Sequence, residues 1–216
     1  MDHIFLAARP APGSSDWSGS MDALKALQGR QSAARLIDPA PDEAALAELF
    51  AAALRAPDHA GLRPWRFLLV RGTARQQLGE LFVRARQRRD PAASAAQIEK
   101  LRQAPLRAPL VMVAYSHLQP HPKVPEIEQL LSTAAAVQNL LLAAHALGFG
   151  AIWRTGEMAH DPEVRAGLGL QQSDRIVGFI YLGTAATPPK PLQPIDHATH
   201  FAEWLPGTIA FAASAG

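Results

Sequence analysis

Apolar positions along the chain change period repeatedly, and each change marks an element. After Asp42, Leu46, Leu49, Phe50, Ala53 and Leu54 recur at three- and four-residue intervals, which predicts a helix capped by Asp42 and ended by Pro57. A shorter helix precedes it, from about Asp22 to Gln28, broken at Gly29. Thr73 opens a long polar helix to about Arg89 with Leu78, Leu81 and Phe82 inward, and a short one follows near Ala95 to Gln103. Between these run the β-rich stretches Trp65 to Val70 and Pro109 to Tyr115. Ser116 to Pro125 holds three prolines and is predicted to be irregular. Glu126 to Leu147 then reads as the longest helix, nearly apolar around its circumference and so the buried axis of the domain. Gly148-Phe149-Gly150 stops it. Ala151 to Arg154 is a short strand, Pro162 to Leu168 a short helix, and Arg175 to Leu182 a strand.

Four strand candidates separated by helices predict an α+β fold or a three-layer sandwich. The expected organisation is a flexible extension over 1–20, with Met21 as an alternative start, then one domain over 21–216. From about 186 its tail turns proline-rich and extended. Exchange of that arm with a second subunit is one way to bury Phe201, Trp204 and Leu205.

Composition narrows the chemistry. The chain has 216 residues, 48% hydrophobic and only 19% charged, so some surface is expected to lie against another subunit. Net charge is +2, which does not describe a nucleic-acid-binding field; the basic run Arg84, Arg86, Arg88 and Arg89 reads as a solvated helix face. There is no cysteine, which removes disulfides, iron–sulfur clusters and thiol nucleophiles. Redox chemistry would then need a bound organic cofactor or a metal. The apolar stretch Ile4 to Ala8 is too short for a secretory signal, and Ala134 to Trp153 carries Gln138, Asn139, His145 and two glycines, unlike a membrane span. A cytoplasmic protein is expected.

Several motifs fail on inspection. His117 and His121 have zinc-pair spacing, but Pro120 prevents the helix that would align them. Gly167-Leu168-Gly169 lacks the third glycine of a dinucleotide turn and follows no strand. Three polar clusters at element ends remain: Gly29-Arg30-Gln31-Ser32; Arg55-Ala56-Pro57-Asp58-His59 leading to Pro64-Trp65; and Gly148 through Trp153-Arg154-Thr155-Gly156. An arginine fork beside a serine hydroxyl suits a phosphate or a polyol chain, since each supplies several acceptors. Taken alone, Trp65 and Trp153 read as core or interface aromatics, His59 as a turn cap and His145 as a buried helix residue with a satisfied ring.

In this order, and with Arg107-Ala-Pro-Leu, Lys123-Val-Pro and Asp174 through Gly183, these clusters resemble the nitroreductase family, specifically its short bacterial NAD(P)H nitroreductases. Coverage runs from Met21 to about Gly183. The resemblance implies a three-layer α/β/α sandwich with a mainly antiparallel sheet, forming a homodimer with two non-covalent FMN sites at the subunit interface. Arg30, Gln31 and Ser32 would hold the flavin phosphate and ribityl chain, Arg55 and His59 would reach the cofactor from the second cluster, and Trp153, Arg154 and Thr155 would line it from the third. Ala143, Ala144, His145, Ala146, Leu147 and Gly148 would meet the nicotinamide nucleotide. NADH or NADPH would pass hydride to flavin N5, and a nitroaromatic, quinone or similar flat acceptor would then use the same space in a ping-pong cycle. His59 or water would supply protons. Nucleic acid and membrane are not expected partners.

The chain departs from the family at Gln31, where many relatives carry a second arginine, and at Asp58, His59, Gly61 and Arg63 in the loop before Pro64-Trp65. These departures keep an alternative open, a non-catalytic flavin-binding sensor or interaction module of the same fold.

Overall fold

A computed structural model describes residues 21–204 and 206; the extension over 1–20, Leu205 and the end of the arm lie outside the described residues. The elements are α1 (Ala23–Gly29), β1 (Leu36–Ile37), α2 (Glu43–Ala53), β2 (Trp65–Arg71), α3 (Ala74–Arg89), α4 (Ala95–Gln103), β3 (Leu110–Ser116), α5 (Glu126–Ala146), β4 (Gly150–Arg154), α6 (Glu157–His160), α7 (Pro162–Gly167) and β5 (Arg175–Ala185). Short 3₁₀ turns stand at His59–Gly61, Ala104–Arg107 and His197–Thr199.

The five strands form one sheet in which every pairing is antiparallel. β5 is its organiser: it pairs with β3, with β4, and through Thr184 and Ala185 with β1, while β2 lies beyond β3. Side chains alternate across a strand, so each strand feeds two cores. Leu110, Met112 and Ala114 of β3, with Ile180 and Leu182 of β5, pack under α2 and α5. Val111 and Val113, with Phe179 and Tyr181, pack under α3, α6 and α7 on the opposite face. That is the expected three-layer α/β/α arrangement. β3 is buried on both faces, which explains its unbroken apolar run.

Helix starts follow the caps legible in the sequence. Asp42 accepts from the Ala45 N–H at 2.8 Å, and Ser94 with Gln97 forms a capping box on α4. Thr73 opens α3 without a side-chain cap bond.

Three expectations need correction. β1 was not anticipated; it has two residues, with only Leu36 buried, too short to carry a period. α6 was also unforeseen, a four-residue helix that turns on Gly156. The long helix α5 is not buried around its whole circumference. Leu140, Leu141 and Ala144 are in the core, but Ile127 and Leu131 are 58% and 61% exposed in the single chain. Beyond Pro188 the described arm is extended, with Phe201 and Trp204 exposed.

Trp153 shows how tightly the sheet is filled. Its indole N–H donates to the Val177 carbonyl at 3.1 Å, and the ring lies where a Cβ on Gly178 would stand. Gly178→Ala is therefore expected to cost about 1–3 kcal/mol by overpacking. A lower thermal midpoint, with a shifted tryptophan emission maximum, would register it.

The protein has two tyrosines. Burial raises the Tyr181 phenol above its usual 10.0, with Arg154 and Arg107 acting the other way. Burial and then the Asp174 charge raise Tyr115, opposed by Arg66. The native state thus keeps phenol protons that the unfolded chain gives up, so stability contributed below pH of about 10 is lost as the pH climbs past it. Denaturant titrations at rising alkaline pH should show that fall, and phenolate absorbance of the native protein should lag behind that of the denatured one.

Candidate active site

α1 packs along the C-terminal part of α5: a Cβ on Gly29 would sit 3.5 Å from His145 Nε2. The chain leaves α1 through Arg30, Gln31 and Ser32 and is then fastened to β4, where Ala33 donates its N–H to the Ala151 carbonyl at 2.9 Å. Gln31 Nε2 donates to the Lys190 carbonyl at 2.8 Å, which brings the start of the arm to this cluster. Lys190 was not singled out in the sequence, and nothing local to it could have been read as a signal. The Arg30 guanidinium, half-buried, makes no ion pair among the described residues.

The third cluster occupies the other end of the same strand. β4 runs five residues from Gly150 to Arg154, a span of about 16 Å. Its peptide groups alternate sides, so Trp153 directs its N–H and carbonyl to the edge that Ala151 presents to Ala33. Trp153 itself is a core aromatic packed against the α2/α5 side, as Trp65 is. Arg154 points to the opposite face, its guanidinium carbon 5.9 Å from the Tyr181 ring centre. Thr155 is exposed, and Gly156 takes φ 77° and ψ −174°, a conformation only glycine adopts easily.

A cavity of about 420 Å³ opens at this end, between α3, α4 and the last turn of β4. Phe82, Leu101, Met158 and Phe179 give it apolar walls; Arg86, Lys100, Arg107 and Arg154 give it positive charge. The sequence reading missed Lys100 altogether and used Arg107 and Tyr181 only as matching positions. α4 and the following 3₁₀ turn carry no glycine and no distinctive motif, so only the tertiary fold brings them to β4.

Glu157, in the same wall, is held by Arg86 at 3.2 Å and Arg89 at 2.6 Å. Arg86 also bonds Asp90, Arg88 pairs with Glu163, and Arg89 reaches Asp161. The basic run is solvated as expected at Arg84, Arg88 and Arg89, and most of it is in addition matched by carboxylates from α6, α7 and the end of α3. Exposed pairs of this kind add little stability each, but as a network they fix the loop Thr155–Glu157.

The second cluster lies elsewhere. His59 Nδ1 meets Glu128 Oε2 at 2.6 Å, Ser132 Oγ donates to the Pro57 carbonyl at 2.7 Å, and Asn139 donates to the Ala52 carbonyl. The first two bonds anchor Pro57 and His59 beside the N-terminal half of α5, and the third ties the end of α2 to a point past its middle. From Glu128 to His145 is about 25 Å along the helix, so one chain keeps His59 apart from the first cluster. His59 is therefore more than a turn cap: its ring is exposed and paired with a carboxylate. The departures in its loop have structural partners as well, since Asp58 accepts from the Arg63 N–H at 2.7 Å and Arg63 itself takes φ 48°.

Ala143 to Gly148 form the C-terminal turn of α5. Ala144 is fully buried, its neighbours are half-buried and Gly148 is exposed. His145 is half-buried beside Gly29. His117 is engaged by Asp174 at 2.8 Å, and His121 accepts from the Lys123 N–H.

No described helix is long and apolar enough to cross a membrane. The family model described as "Nitroreductase family" matches residues 27–184. "Putative NAD(P)H nitroreductase YdjA" of Escherichia coli (strain K12) is 38% identical over 190 residues, covering 84% of this chain and all of the relative. Among solved structures, a nitroreductase-like family protein from Bacillus cereus superposes with a TM-score of 0.75 at 24% identity, covering 85% of this chain and 96% of the other. A mutant of the "FMN and NADPH-dependent nitroreductase NfnB" of sphigopyxis sp. strain HMH does so with a TM-score of 0.67 at 21% identity, covering 85% and 99%. With the family match spanning most of the folded region and the layered antiparallel sheet shared with these structures, the chain belongs to the nitroreductase family of oxidoreductases.

Proposed function

We propose that this protein is an FMN-dependent NAD(P)H oxidoreductase whose active site is shared between two copies of the chain. The observation that carries the reading is the placement of two clusters at the two ends of β4. Arg30–Ser32 is tied to the strand's first residues, and Arg154–Gly156 ends it at the cavity. A phosphate-bearing chain would lie at the first end and a flat ring at the second.

The residues present fit that group. Arg30 offers a guanidinium without an ion-pair partner among the described residues, and Ser32 an exposed hydroxyl. These suit a phosphate and a polyol. Gln31 turns its amide to Lys190, so at this position it fastens the arm where a second arginine would have added charge. Trp153 backbone groups, Arg154 and Thr155 would line the ring. FMN bound there would relay two electrons and a proton, as hydride, from NAD(P)H to a flat nitro or quinone acceptor. Arg30 would offset phosphate charge, the apolar cavity wall would exclude water, and His59, held by Glu128, would be placed to give up a proton.

The second copy follows from α5. Apolar side chains are exposed near both of its ends: Leu24 and Leu27 of α1 at one, Ile127 and Leu131 at the other. A two-fold axis crossing the middle of α5 would set α1 of one copy against the N-terminal half of α5 in its partner. It would bury both patches and carry Arg55 and His59 across to the partner's Arg30. The neighbour named FMN and NADPH-dependent has the same fold and supports the cofactor assignment.

Purified protein is expected to be yellow, to bleach under anaerobic NADPH or NADH, and to recolour with a nitroaromatic or quinone. A chain that stays colourless with added FMN would end the reading, and flavin without turnover would favour a sensor. Arg30→Ala and Arg55→Ala should each weaken FMN binding by roughly tenfold. In mixed dimers of the two variants one site is intact and the other doubly damaged. Recovery of tight flavin binding in the mixture therefore tests the shared site.

A further inference from the structure

The turn that carries His59 is strained, and yet it is fastened along its length. Ala60 and Arg63 take φ 61° and 48°, the left-handed region that L side chains avoid. Ser132 Oγ donates to the Pro57 carbonyl, and Asp58 accepts from the Arg63 N–H. Gln119 Nε2 donates to the Leu62 carbonyl at 3.0 Å, and the His117 N–H to the Pro64 carbonyl at 2.7 Å. Behind them Gln129, 2% exposed, exchanges bonds with the Gln119 backbone in both directions. Glu128 and Gln129 are neighbours near the start of α5, so one stretch of helix holds the turn both directly and through Gln119. An exposed histidine–carboxylate pair adds little stability by itself. Strain that is over-determined in this way points instead to a side chain that has to be held still, and His59 is the one presented.

The pair with Glu128 also fixes which nitrogen works. A carboxylate has only lone pairs to offer, so Nδ1 must carry the proton of the 2.6 Å bond. Nε2 is the nitrogen left for a substrate, with a proton when the ring is cationic and a lone pair when it is neutral. The side chain is 53% exposed, so a ligand can reach it. A quinone that takes two electrons as hydride, originally from NAD(P)H, becomes an oxygen anion one proton short of the hydroquinone. Breaking the Nε2–H bond and forming the O–H bond completes it. The ring is left neutral with Nδ1–H still on Glu128, and recovers a proton from water. A carrier that takes single electrons needs no such step. We infer that Glu128 is a positioning residue that makes His59 Nε2 the proton donor, and that the acceptors served are those that end hydride transfer as an oxygen anion. The inference rests on the proposed oxidoreductase reading and names its acceptor class.

Two oxidants separate proton delivery from electron transfer. Benzoquinone needs a proton on oxygen; ferricyanide takes one electron and no proton. Flavin-loaded protein, reduced beforehand with NADPH, is mixed with each in a stopped-flow cell, and the ratio of the two reoxidation rates is the readout. Effects of a substitution on the bound cofactor act on both rates and cancel in that ratio. His59→Gln should lower the benzoquinone-to-ferricyanide ratio by roughly a hundredfold, the ordinary size of general acid catalysis, and Glu128→Gln by roughly tenfold. Glu128→Asp, which keeps the carboxylate, should restore part of the loss. Nitrogen-15 spectra of the resting protein need no turnover: neutral His59 should carry its proton on Nδ1 and lose that preference in Glu128→Gln.

Each result decides something. A yellow protein whose two rates fall together in both variants overturns the inference and leaves the activity standing. A ratio that falls in His59→Gln but not in Glu128→Gln overturns the role of Glu128, as does a neutral His59 protonated on Nε2. A colourless protein, inert to both oxidants after added FMN, overturns the activity and the inference with it.

Discussion

The length of α5 governs how this protein can work. Twenty-one residues of unbroken helix stand between the loop that carries Arg55 and His59 and the turn against which Arg30 emerges. Ser132 fastens the Pro57 loop to its first half, Asn139 fastens the end of α2 past its middle, and Gly29 closely approaches His145 at its end. While that helix lasts, His59, paired with Glu128, stays about 25 Å along its axis from the turn at which Arg30 emerges. The same helix exposes Ile127 and Leu131 where a globular monomer would place polar residues. Separation of His59 from Arg30 and exposure of apolar side chains thus lie along one helix, and the proposed two-fold pairing would resolve both.

At the sheet edge the logic is one of withheld partners. β5 is satisfied on both sides, by β3 and by β4, whereas β4 receives Ala33 at its start and then ends in a glycine turn. Arg86 Nε and Arg154 Nε are buried without acceptors among the described residues, at a cost of about 1–3 kcal/mol each. The fold tolerates this because the surrounding packing is over-determined: Trp153 is locked against Gly178, and Phe82 stacks edge-on to Phe179 at 5.1 Å. Rigidity of that kind keeps the donors from shifting onto nearby carbonyls.

Much of this architecture was legible in the residues themselves. The helices with clear period and caps, α2 to α5 and α7, lie within a few residues of their expected bounds, and β2 to β5 likewise. Asp42 worked because a cap is a local interaction. β1 and α6 were not legible for the complementary reason: two residues or four give no period, and each is held by distant elements. The exposed stripe of α5 could not be told from a buried one, since an apolar side chain reads the same in the sequence whether or not the folded chain covers it. Lys100 escaped, and Arg107 and Tyr181 had no role, because cavity lining is a property of tertiary placement that an unremarkable helix or strand can supply.

The arginines carry the sharpest lesson. In the sequence Arg84 to Arg89 are the most conspicuous basic residues, while Arg30, Arg107 and Arg154 stand alone. The fold reverses that ranking. Arg86, Arg88 and Arg89 are matched by Asp90, Glu157, Asp161 and Glu163, carboxylates that lie up to 75 positions away along the chain. A clustered charge is easily neutralised by a cluster of opposite sign, and what then remains of it is mostly structural. An isolated guanidinium beside a glycine turn has no such company, and its field is left for whatever enters. Pairing, not density, decides which cations are available for chemistry, and pairing is written in the fold.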